Sequence, residues 1–373
     1  MKNILYLGGF DLPDKNAAAQ RVIANAKVLR DIGWEVTLVG LDKKPDAFTY
    51  EGFECINLKY PSSAKEWISY LASIKNYLPF IEKTKPEMII AYNHPAVALS
   101  KLVYYCNKRG IKKVSDCTEW YTAEGNIIQR VIKGWDVKKR MTDVHLRMDG
   151  IISISRYLHE YYYSKGVHSI LLPPLVDAKS PKWQVDGTPE KSEIISLVYA
   201  GSPGHKDRLD VLVRALSKIS EAVPLCFDIV GIDESQFLSM YGYDDNMPEG
   251  ICFHGRLSHD KTLGMLKKSD FQVFIREDNL TTRAGFPTKF VESITAGVPV
   301  LTNLTSNIGD YLVAGSNGFP LDTTSENTLT DSLLIALQQP KSTITEMKQL
   351  IDRELFDYHN YIYQLKDFID KIV

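Results

Sequence analysis

The feature that most constrains the fold is an alternation of short β-branched runs with amphipathic segments, which occurs in both halves of the chain. This alternation predicts parallel sheets that are covered by helices on both faces. The two halves are joined by a segment rich in proline and turn residues, which begins at Leu172 and includes the polar run 186–193, and we place the domain boundary there. The predicted strands are Ile4–Leu7, Val36–Leu41, Met88–Ala91, a strand at Val114, Ile151–Ile154, Ile194–Ala200, Leu225–Val230, Ile251–His254 and Phe271–Ile275.

The helices of this pattern carry start and stop signals. The first helix is predicted to start near Asn16 and to stop at Gly33. The tail from Ser342 to Val373 is predicted to be helical, with a break near Phe356, and one side of its last segment is apolar, so we expect it to pack on another part of the protein. That apolar side consists of Tyr361, Leu365, Phe368 and Ile369. The other predicted helices are Ala96–Lys108, Ile127–Met148, Asp207–Ile219 and Lys261–Lys268.

Length and composition narrow the possible functions. With 373 residues, 44% of them hydrophobic, the chain is long enough for two or three domains with sizeable cores. Its formal charge of −2 gives no basic field, so we expect no nucleic-acid partner. The five cysteines and eight histidines show no metal-ligand spacing, so we expect no metal site. We expect a cytoplasmic protein, because we find no signal-peptide pattern, no Cys-x-x-Cys and no run near the ~18 apolar residues of a membrane span.

The segment from Arg283 to Val300 predicts an anion-binding helix start followed by a buried strand. Pro287 suits the first helical position, Gly297 suits the end of the helix, and residues 298–302 follow as a strand. Lys289 lies in the first turn, where the helix dipole disfavours a cation by about 0.3–1 kcal/mol. A bound phosphate would reverse this effect, because it pairs with the ammonium and with the free N–H groups of the first turn.

Glu292 lies one turn after Thr288 on the same face of this predicted helix. At that position a carboxylate can accept hydrogen bonds from the hydroxyls of a ribose whose phosphate lies at the helix start. The alternative is a surface ion pair between Lys289 and Glu292, in the weaker of the two sequence orders.

Glycine-containing turns follow the first strand of each half. Gly8-Gly9 lacks the spacing of a nicotinamide-binding fingerprint, so a tight turn without a ligand is a serious alternative there. The segment 201–208 starts at Gly201 and is not a Walker A loop, but Lys206 and Arg208 can supply cations to a diphosphate. The alternative for these two residues is solvated charge at a helix start. Further cations follow later strands of this half at Arg256, Arg276 and Arg283.

Polar and aromatic residues follow two neighbouring strands of the first half. His94 is expected at the carboxyl end of the first sheet, although a lone histidine is often structural. Asp116, Glu119 and Trp120 follow the next strand and are predicted to bind an acceptor sugar, through hydroxyl pairing and ring stacking. An ordinary loop explains these three residues nearly as well.

The predicted helix Ile127–Met148 is basic, with six cations against two carboxylates. Such a helix can make peripheral contact with an anionic membrane. Its apolar residues change face near Gly134 and Trp135, so a bent helix with a solvated basic face explains the pattern equally well. The charged residues are Arg130, Lys133, Asp136, Lys138, Lys139, Arg140, Asp143 and Arg147.

Several motifs occur in a fixed order along most of the chain. They are Ser153-x-Ser155, Leu172-Pro-Pro-x-x-Asp177, Tyr199-Ala-Gly-Ser-x-x-x-x-Lys206, Phe253-His-Gly-x-Leu257 and Gly285-Phe-Pro-Thr-Lys-Phe-Val-Glu292-x-x-x-x-Gly297-x-Pro299-Val. In this order they resemble the motifs of the retaining family-4 glycosyltransferases of the GT-B fold. The Phe-Pro-Thr-Lys variant is most similar to that of bacterial enzymes that build capsular or lipopolysaccharide sugars.

The resemblance implies an α/β protein with two Rossmann-like, doubly wound parallel-sheet domains that face a cleft. Residues 1–175 would form the acceptor-side domain, residues 176–355 the domain that binds a nucleotide sugar, and residues 356–373 a C-terminal helix that crosses back to the N-terminal domain. The implied reaction transfers a sugar, with retained configuration, from a UDP- or GDP-linked donor to a hydroxyl of a glycan or lipid-linked acceptor. No cofactor is expected to be required, and surface polysaccharide synthesis in bacteria is the implied setting.

The resemblance also implies roles for individual residues. Lys206 would pair with the diphosphate, Glu292 would bind the ribose, and His94 would touch the transferred sugar, so these three are the expected catalytic residues. The other expected donor-binding residues are Gly8, Gly9, Gly201, Arg208, Arg256, Arg283, Gly285, Phe286, Pro287, Thr288 and Lys289.

One position departs from the family's pattern of two glutamates separated by seven residues. Counting back from Glu292, Ala284 stands where the first glutamate is expected, so its role is unfilled or is taken by Glu277 or Asp278. Two alternative functions therefore remain beside the transferase. One is a non-hydrolysing sugar-nucleotide epimerase, which shares the two-domain architecture, and the other is a catalytically silent module that binds a sugar nucleotide.

Overall fold

The chain divides into two compact units in a computed structural model. Unit 1 comprises Met1–Asp177, Arg283–Phe286 and Asp357–Val373, and unit 2 comprises Ala178–Thr282 and Pro287–Phe356. The polar run of the predicted linker, 186–193, lies outside the described residues. The described residues are 2–13, 15–122, 126–184, 194–204, 206–220, 222–243 and 247–373, without the side chain of Ile128.

Unit 1 is built on an eight-stranded sheet. Its strands are β1 (Lys2–Gly8), β2 (Trp34–Asp42), β3 (Asp46–Tyr50), β4 (Phe53–Lys59), β5 (Met88–Tyr92), β6 (Lys112–Cys117), β7 (Gly150–Ser153) and β8 (Ser169–Leu171). Their order is β3-β4-β2-β1-β5-β6-β7-β8, and all neighbours are parallel except β3 and β4. The connections change direction between β1 and β5, and ligands of open α/β sheets bind at such a point.

The helices of unit 1 begin at residues with clear capping roles. Asn16 accepts a hydrogen bond from the N–H of Ala19 at the start of the first helix, and Ser63 with Glu66 forms a capping box at the start of the second. The helices are α1 (Ala17–Asp31), α2 (Ala64–Ala72), α3 (Leu78–Thr84), α4 (Ala96–Arg109), α5 (Ile127–Lys139) and α6 (Arg156–Ser164).

The predicted helix over Ile127–Met148 is helical as far as Arg147, but it is not α-helical throughout. The α-helix ends at Lys139 and is followed by a π-helical turn over Arg140–Val144 and a 3-10 turn over His145–Arg147. This second part is not a solvated basic face, because Arg140 is buried and Arg147 pairs with Asp143. The basic character of the segment is therefore confined to α5.

Unit 2 repeats the parallel arrangement with six strands. They are β9 (Ile195–Ala200), β10 (Leu225–Val230), β11 (Ile251–Phe253), β12 (Phe271–Phe274), β13 (Val300–Thr302) and β14 (Gly318–Pro320). The order β11-β10-β9-β12-β13-β14 is the doubly wound order, with every neighbouring pair parallel and a change of direction between β9 and β12. The two predicted parallel-sheet domains are thus confirmed.

The helices of unit 2 include the one predicted from the signature segment. It runs from Thr288 to Ala296, and Gly297 ends it in the left-handed conformation with φ 73°. The helices are α7 (Leu209–Ser220), α8 (Glu234–Tyr241), α9 (His259–Lys268), α10 (Leu280–Ala284), α11 (Thr288–Ala296), α12 (Glu326–Leu337) and α13 (Lys341–Leu350).

The last helix, α14 (Ile362–Asp370), belongs to unit 1. Leu365, Phe368 and Ile369 are buried in the core of that unit together with residues of β1 and α1, so the predicted return of the tail is confirmed. Gly150 at the start of β7 makes this packing possible, because a Cβ there would lie 2.7 Å from Cζ of Phe368.

Candidate functional site

At the carboxyl edge of the unit 2 sheet, the loop after β9 is hydrogen-bonded to the loop after β12. The N–H of Arg208 donates to the carbonyl of Ile275 at 3.2 Å, and the N–H of Glu277 donates to the carbonyl of Lys206 at 2.9 Å. Lys206 and Arg276 therefore lie on paired backbone segments at the point where the sheet changes direction. This is the part of a doubly wound sheet where a ligand is expected.

Lys289, in the first turn of α11, reaches the same edge. Its Nζ donates to the Tyr199 hydroxyl at 2.6 Å and lies 3.4 Å from Oδ1 of Asp207. Gly201 leaves room for the lysine, since a Cβ at this position would lie 2.8 Å from Lys289 Cε, and its φ of +130° also favours glycine. The ammonium group is therefore paired inward with Asp207, and not with Glu292 as the surface-pair alternative proposed.

Cations from three elements surround the Asp207 carboxylate. Burial alone would raise the pKa of Asp207, but the charges of Lys289, Arg276 and Lys206 and a hydrogen bond from the backbone of Gly204 hold it below its usual value. The three cations thus outnumber the one carboxylate at this point of the described structure. Excess positive charge at a sheet edge favours an anionic ligand, and a diphosphate has the matching chemistry.

The start of α11 adds backbone donors to this edge. Pro287 precedes the helix with φ −75° and ψ 115°, and no side chain caps the helix start. The first N–H groups of a helix have no intrahelical acceptor, so they can bind an anion. Thr288 and Lys289 are half-buried there, and Glu292 follows one turn later and is also partly exposed.

The structure does not bring every predicted donor-binding residue together. Lys206 is half-buried at the sheet edge, whereas Arg208 and Arg256 are exposed in loops after β9 and β11. Arg283 is exposed and Gly285 and Phe286 are buried in the short segment that belongs to unit 1.

His94 lies at the carboxyl end of β5 in unit 1 and is fully buried. Its ring packs edge-on against Tyr77 and Tyr70, with centroids 5.3 and 5.8 Å away. Neither ring nitrogen has a hydrogen-bond partner among the described residues. Burial and the nearby charge of Arg140 lower the pKa of His94 to about 3, so the imidazole is neutral near pH 7. A neutral imidazole can donate one hydrogen bond and accept another, which suits a sugar hydroxyl.

The Gly8-Gly9 turn lies at the end of β1 and close to Tyr70, which packs against His94. A Cβ at Gly8 would lie 2.6 Å from the carbonyl oxygen of Tyr92, and one at Gly9 would lie 3.2 Å from the Tyr70 hydroxyl. Glycine is therefore required at Gly8 by close packing within unit 1. Gly9 is exposed, which leaves its backbone accessible at the edge of the sheet.

Asp116 was predicted to bind an acceptor sugar, but the structure gives it a structural role. The carboxylate is fully buried and accepts hydrogen bonds from Arg21 at 2.8 Å and from the Tyr6 hydroxyl at 2.5 Å. The same Arg21 donates to the carbonyls of Leu172 and Pro173 at 3.0 Å. Asp116 thus orients an arginine that holds the start of the linker, and its oxygens have no access to an acceptor.

Glu119 and Trp120 lie beyond β6 and are partly exposed. The Trp120 ring packs edge-on against Tyr161 and Tyr157, at 5.0 and 6.3 Å between centroids. An aromatic group therefore lies at the carboxyl edge of the first sheet. Acceptor binding by Glu119 and Trp120 stays a prediction.

The unit 2 residues described above lie within one segment of the chain that matches a known protein family. Residues 182–351 match the family model described as "Glycosyl transferases group 1". This segment therefore resembles a group 1 glycosyl transferase domain. A search among curated proteins found no match for the sequence.

Solved structures resemble the whole chain. Sucrose-phosphate synthase from Thermosynechococcus elongatus superposes with a TM-score of 0.72 at 13% identity, covering 100% of this chain and 99% of that one. HepE of Anabaena in complex with UDP-glucose has a TM-score of 0.67 at 14% identity, with 99% and 100% covered. The lipopolysaccharide outer core galactosyltransferase WaaB has a TM-score of 0.64 at 15% identity, with 98% and 99% covered. The chain therefore has the GT-B fold.

Ala284 is the position that departs from the two-glutamate pattern of the family that the sequence resembles, and the structure shows what surrounds this residue. Ala284 is fully buried, and its carbonyl accepts a hydrogen bond from the Ser155 hydroxyl at 2.7 Å. Of the two upstream carboxylates that were considered as substitutes, Glu277 accepts a hydrogen bond from Asn279 at 3.1 Å.

The described part of the chain has neither a metal-binding cluster nor a membrane-spanning helix. No cluster of three or more His, Cys, Asp or Glu side chains there has a geometry that could hold a metal ion. No helix in the described part is long and apolar enough to cross a membrane.

Proposed function

We propose that the protein is a glycosyltransferase that moves a sugar from a nucleoside diphosphate sugar to an acceptor hydroxyl with retained configuration. The observation that carries the proposal is the arrangement of Lys206, Arg276 and Lys289 around Asp207, beside the uncapped start of α11, within the segment that resembles a group 1 glycosyl transferase domain. This arrangement favours the negative charge that develops on a departing diphosphate.

The individual groups have distinct parts in the proposed reaction. Lys206 is half-buried and is proposed to pair with the diphosphate. Lys289 and Arg276 are proposed to add positive charge next to the diphosphate without binding it directly. Lys289 is already paired with Asp207. Glu292 is proposed to accept hydrogen bonds from the ribose, one turn away from the phosphate-binding N–H groups. In unit 1, the neutral His94 is proposed to pair with a hydroxyl of the sugar, because neither of its ring nitrogens has a hydrogen-bond partner among the described residues.

The donor base, the acceptor and the setting are further parts of the proposal. A UDP- or GDP-linked donor is proposed, and HepE, which shares the fold, is recorded in complex with UDP-glucose. We propose a glycan or lipid-linked acceptor in bacterial surface polysaccharide synthesis, since WaaG and WaaB are lipopolysaccharide glycosyltransferases of the same fold. All five cysteines are free thiols, which supports a reducing, cytoplasmic location.

Substitution of the two proposed donor ligands tests the function. Lys206→Ala and Glu292→Ala each remove a hydrogen bond to or from a charged group, worth about 1.5–3 kcal/mol, so nucleotide affinity should fall about 10- to 100-fold. Calorimetry with UDP and GDP measures the affinity, and release of the nucleotide in the presence of donor and acceptor measures transfer. Lys261→Ala and Glu346→Ala, which are exposed in the same unit, are the matched controls.

The proposal fails if both site variants bind nucleotide and transfer sugar as the controls do. A thermal-shift comparison of UDP, GDP and their sugar derivatives identifies the donor, because the tightest ligand raises the melting temperature most. Conversion of a sugar nucleotide to its epimer without any acceptor would instead assign the protein to the epimerases.

A further inference from the structure

Helix α5 exposes a stripe of large apolar side chains. Ile127, Val131 and Trp135 are 80%, 66% and 53% exposed, and their spacing of four residues places them on one side of the helix. Ile132 lies beside them and is 56% exposed. The opposite side packs inward through Asp136, whose carboxylate accepts a hydrogen bond from the N–H of Ala96 at 2.8 Å. A surface helix of a globular protein usually turns its apolar stripe to the core, so this orientation requires another explanation.

Helix α2 carries a second group of exposed apolar side chains. None of its residues is buried, and Ile68, Trp67 and Leu71 are all exposed. Both α2 and α5 pack against α4. The charges of Asp136 and Arg140 also act on the Tyr70 hydroxyl of α2, which shows that α2 and the end of α5 are neighbours. We name these residues the α2–α5 surface: Trp67, Ile68, Leu71, Ile127, Val131, Ile132 and Trp135.

The charge of α5 indicates what covers this surface. Its described part contains four cations and one carboxylate, and the carboxylate is the inward-facing Asp136. Lys138 and Lys139 follow Trp135 by three and four residues, so they lie on the exposed apolar side, and Lys139 Nζ is 5.9 Å from the Trp135 ring. Lys139 also pairs with Asp143 at 2.8 Å, so Arg130 and Lys138 carry more of the uncompensated charge.

An exposed apolar stripe with tryptophan and flanking cations matches the surface of an anionic bilayer. Tryptophan favours the level of the lipid headgroups, and lysine and arginine pair with lipid phosphates. We propose that the α2–α5 surface docks the protein on an anionic membrane, with the apolar side chains of α5 in the headgroup region. This docking goes beyond the proposed transfer reaction and brings unit 1 to the place where a lipid-linked acceptor would lie.

Sedimentation of the full-length protein with vesicles tests the proposal. We expect binding to vesicles of phosphatidylcholine mixed with phosphatidylglycerol, and little binding to phosphatidylcholine alone. The double variant Ile132→Glu/Trp135→Glu should lose this binding, whereas Ile335→Glu, at a position 60% exposed in α12 of unit 2, should retain it. The double variant Arg130→Gln/Lys138→Gln keeps the apolar stripe and should bind about fivefold more weakly for each charge removed. Its residual binding should weaken further with salt.

Several results would overturn the proposal. One is equal binding of the protein to both vesicle types. Another is retained binding by both double variants, provided that their melting temperatures match that of the unchanged protein. A concentration-dependent dimer that disappears in Ile132→Glu/Trp135→Glu, without any vesicle binding, would assign the surface to a second copy of the chain. The assay contains no sugar donor, so its outcome is independent of the proposed transferase activity.

Discussion

At the scale of single residues, His94 illustrates how burial determines the state of a candidate catalytic group. The imidazole is fully buried between tyrosine rings, without a described hydrogen-bond partner, and the positive charge of Arg140 is nearby. Both effects disfavour the imidazolium, because a charged ring loses hydration and is repelled. The residue is therefore suited to hydrogen bonding with a sugar and not to holding a positive charge.

This state of His94 predicts a pH dependence of stability. Its pKa is about 3 in the folded protein, whereas an unfolded histidine has a pKa of about 6.5. Below about pH 6.5 the unfolded chain binds the proton and the native chain does not, so the free energy of unfolding falls on acidification by about 1.4 kcal/mol per pH unit. Urea unfolding of the protein and of His94→Gln at several pH values between about 6 and 4 measures this slope.

The variant should lose less stability per pH unit than the unchanged protein. His145 is also fully buried with a lowered pKa, and it titrates identically in both proteins, so it cancels in the comparison. Parallel slopes for the two proteins would show that His94 is accessible to a proton in the native state.

The structure also shows which site residues the sequence could not reveal. Lys206 and Lys289 were predicted from the sequence, because each is a cation at a strand end or helix start where a phosphate could bind. Asp207 was not predicted, because its pairing with Lys289 joins residues 82 positions apart in the chain and depends on the fold of unit 2, which also brings Lys289 to Tyr199 of β9. Asp116 was misassigned for the same reason, since it lies in strand β6 and its partner Arg21 lies in helix α1, 95 positions away in the chain.

At the scale of elements, the position of α11 depends on Gly297, the residue that follows its last turn. Gly297 adopts φ 73°, and a Cβ there would lie 2.8 Å from Nε of Arg353. The same arginine donates to the carbonyl of Ala296 at 2.7 Å, which satisfies one of the free carbonyls at the helix end. The end of α11 is thus fixed by both a backbone conformation and an arginine.

Gly110 provides a control that separates these two effects. It ends α4 with φ 69°, and a Cβ there would meet nothing within 4 Å. Gly110→Ala should cost about 1–2 kcal/mol for the left-handed conformation alone. Gly297→Ala should cost about 1 kcal/mol more, because it also displaces Arg353 from its hydrogen bond. Urea unfolding of both variants gives the difference, and equal costs would contradict the role of Arg353.

Strong periodicity and capping residues made most elements predictable. The helix that begins after Asn16 and the strands β1, β2, β9 and β10 were located within a few residues. The hairpin of β3 and β4 and the helices α2 and α3 were missed, because these segments are only five to nine residues long and too short for a clear periodic pattern. Tertiary contacts, and not local pattern, stabilise such elements.

At the scale of the whole molecule, unit 1 is completed by the C-terminal tail. Phe368 and Ile372 pack against the bare backbone of Gly150, where a Cβ would lie 2.7 Å from Phe368 and 2.5 Å from Ile372. Gly150→Val should displace these side chains and destabilise unit 1 by about 2–4 kcal/mol, comparable to truncating one large buried side chain. The tail should then be cut more readily by protease.

Gly264→Val is the corresponding control. Gly264 lies in α9, where a Cβ would meet nothing within 4 Å, and valine is at least as favourable as glycine in a helix. This variant should keep the stability and protease resistance of the unchanged protein. If Gly150→Val behaves in the same way, the tail does not depend on close packing at β7.

The overall architecture was the most predictable level. An alternation of strands and helices that occurs twice leaves few arrangements other than two doubly wound sheets, because parallel strands need crossover helices and these crossovers have one hand. The segment Arg283–Phe286 was expected within the second domain, but it is grouped with unit 1. No local sequence pattern indicates this grouping of Arg283–Phe286, because it depends on distant contacts such as the hydrogen bond between Ser155 and Ala284.

The return of the tail has a consequence for biosynthesis. A ribosome makes the chain from residue 1 onward, and domains usually fold in the order in which they emerge. Unit 2 ends at Phe356, so all of its residues have been made before the segment Asp357–Val373 that completes the core of unit 1. The unit that is translated first is therefore the last to complete its core, and an apolar face of its sheet stays uncovered until Asp357–Val373 has been made.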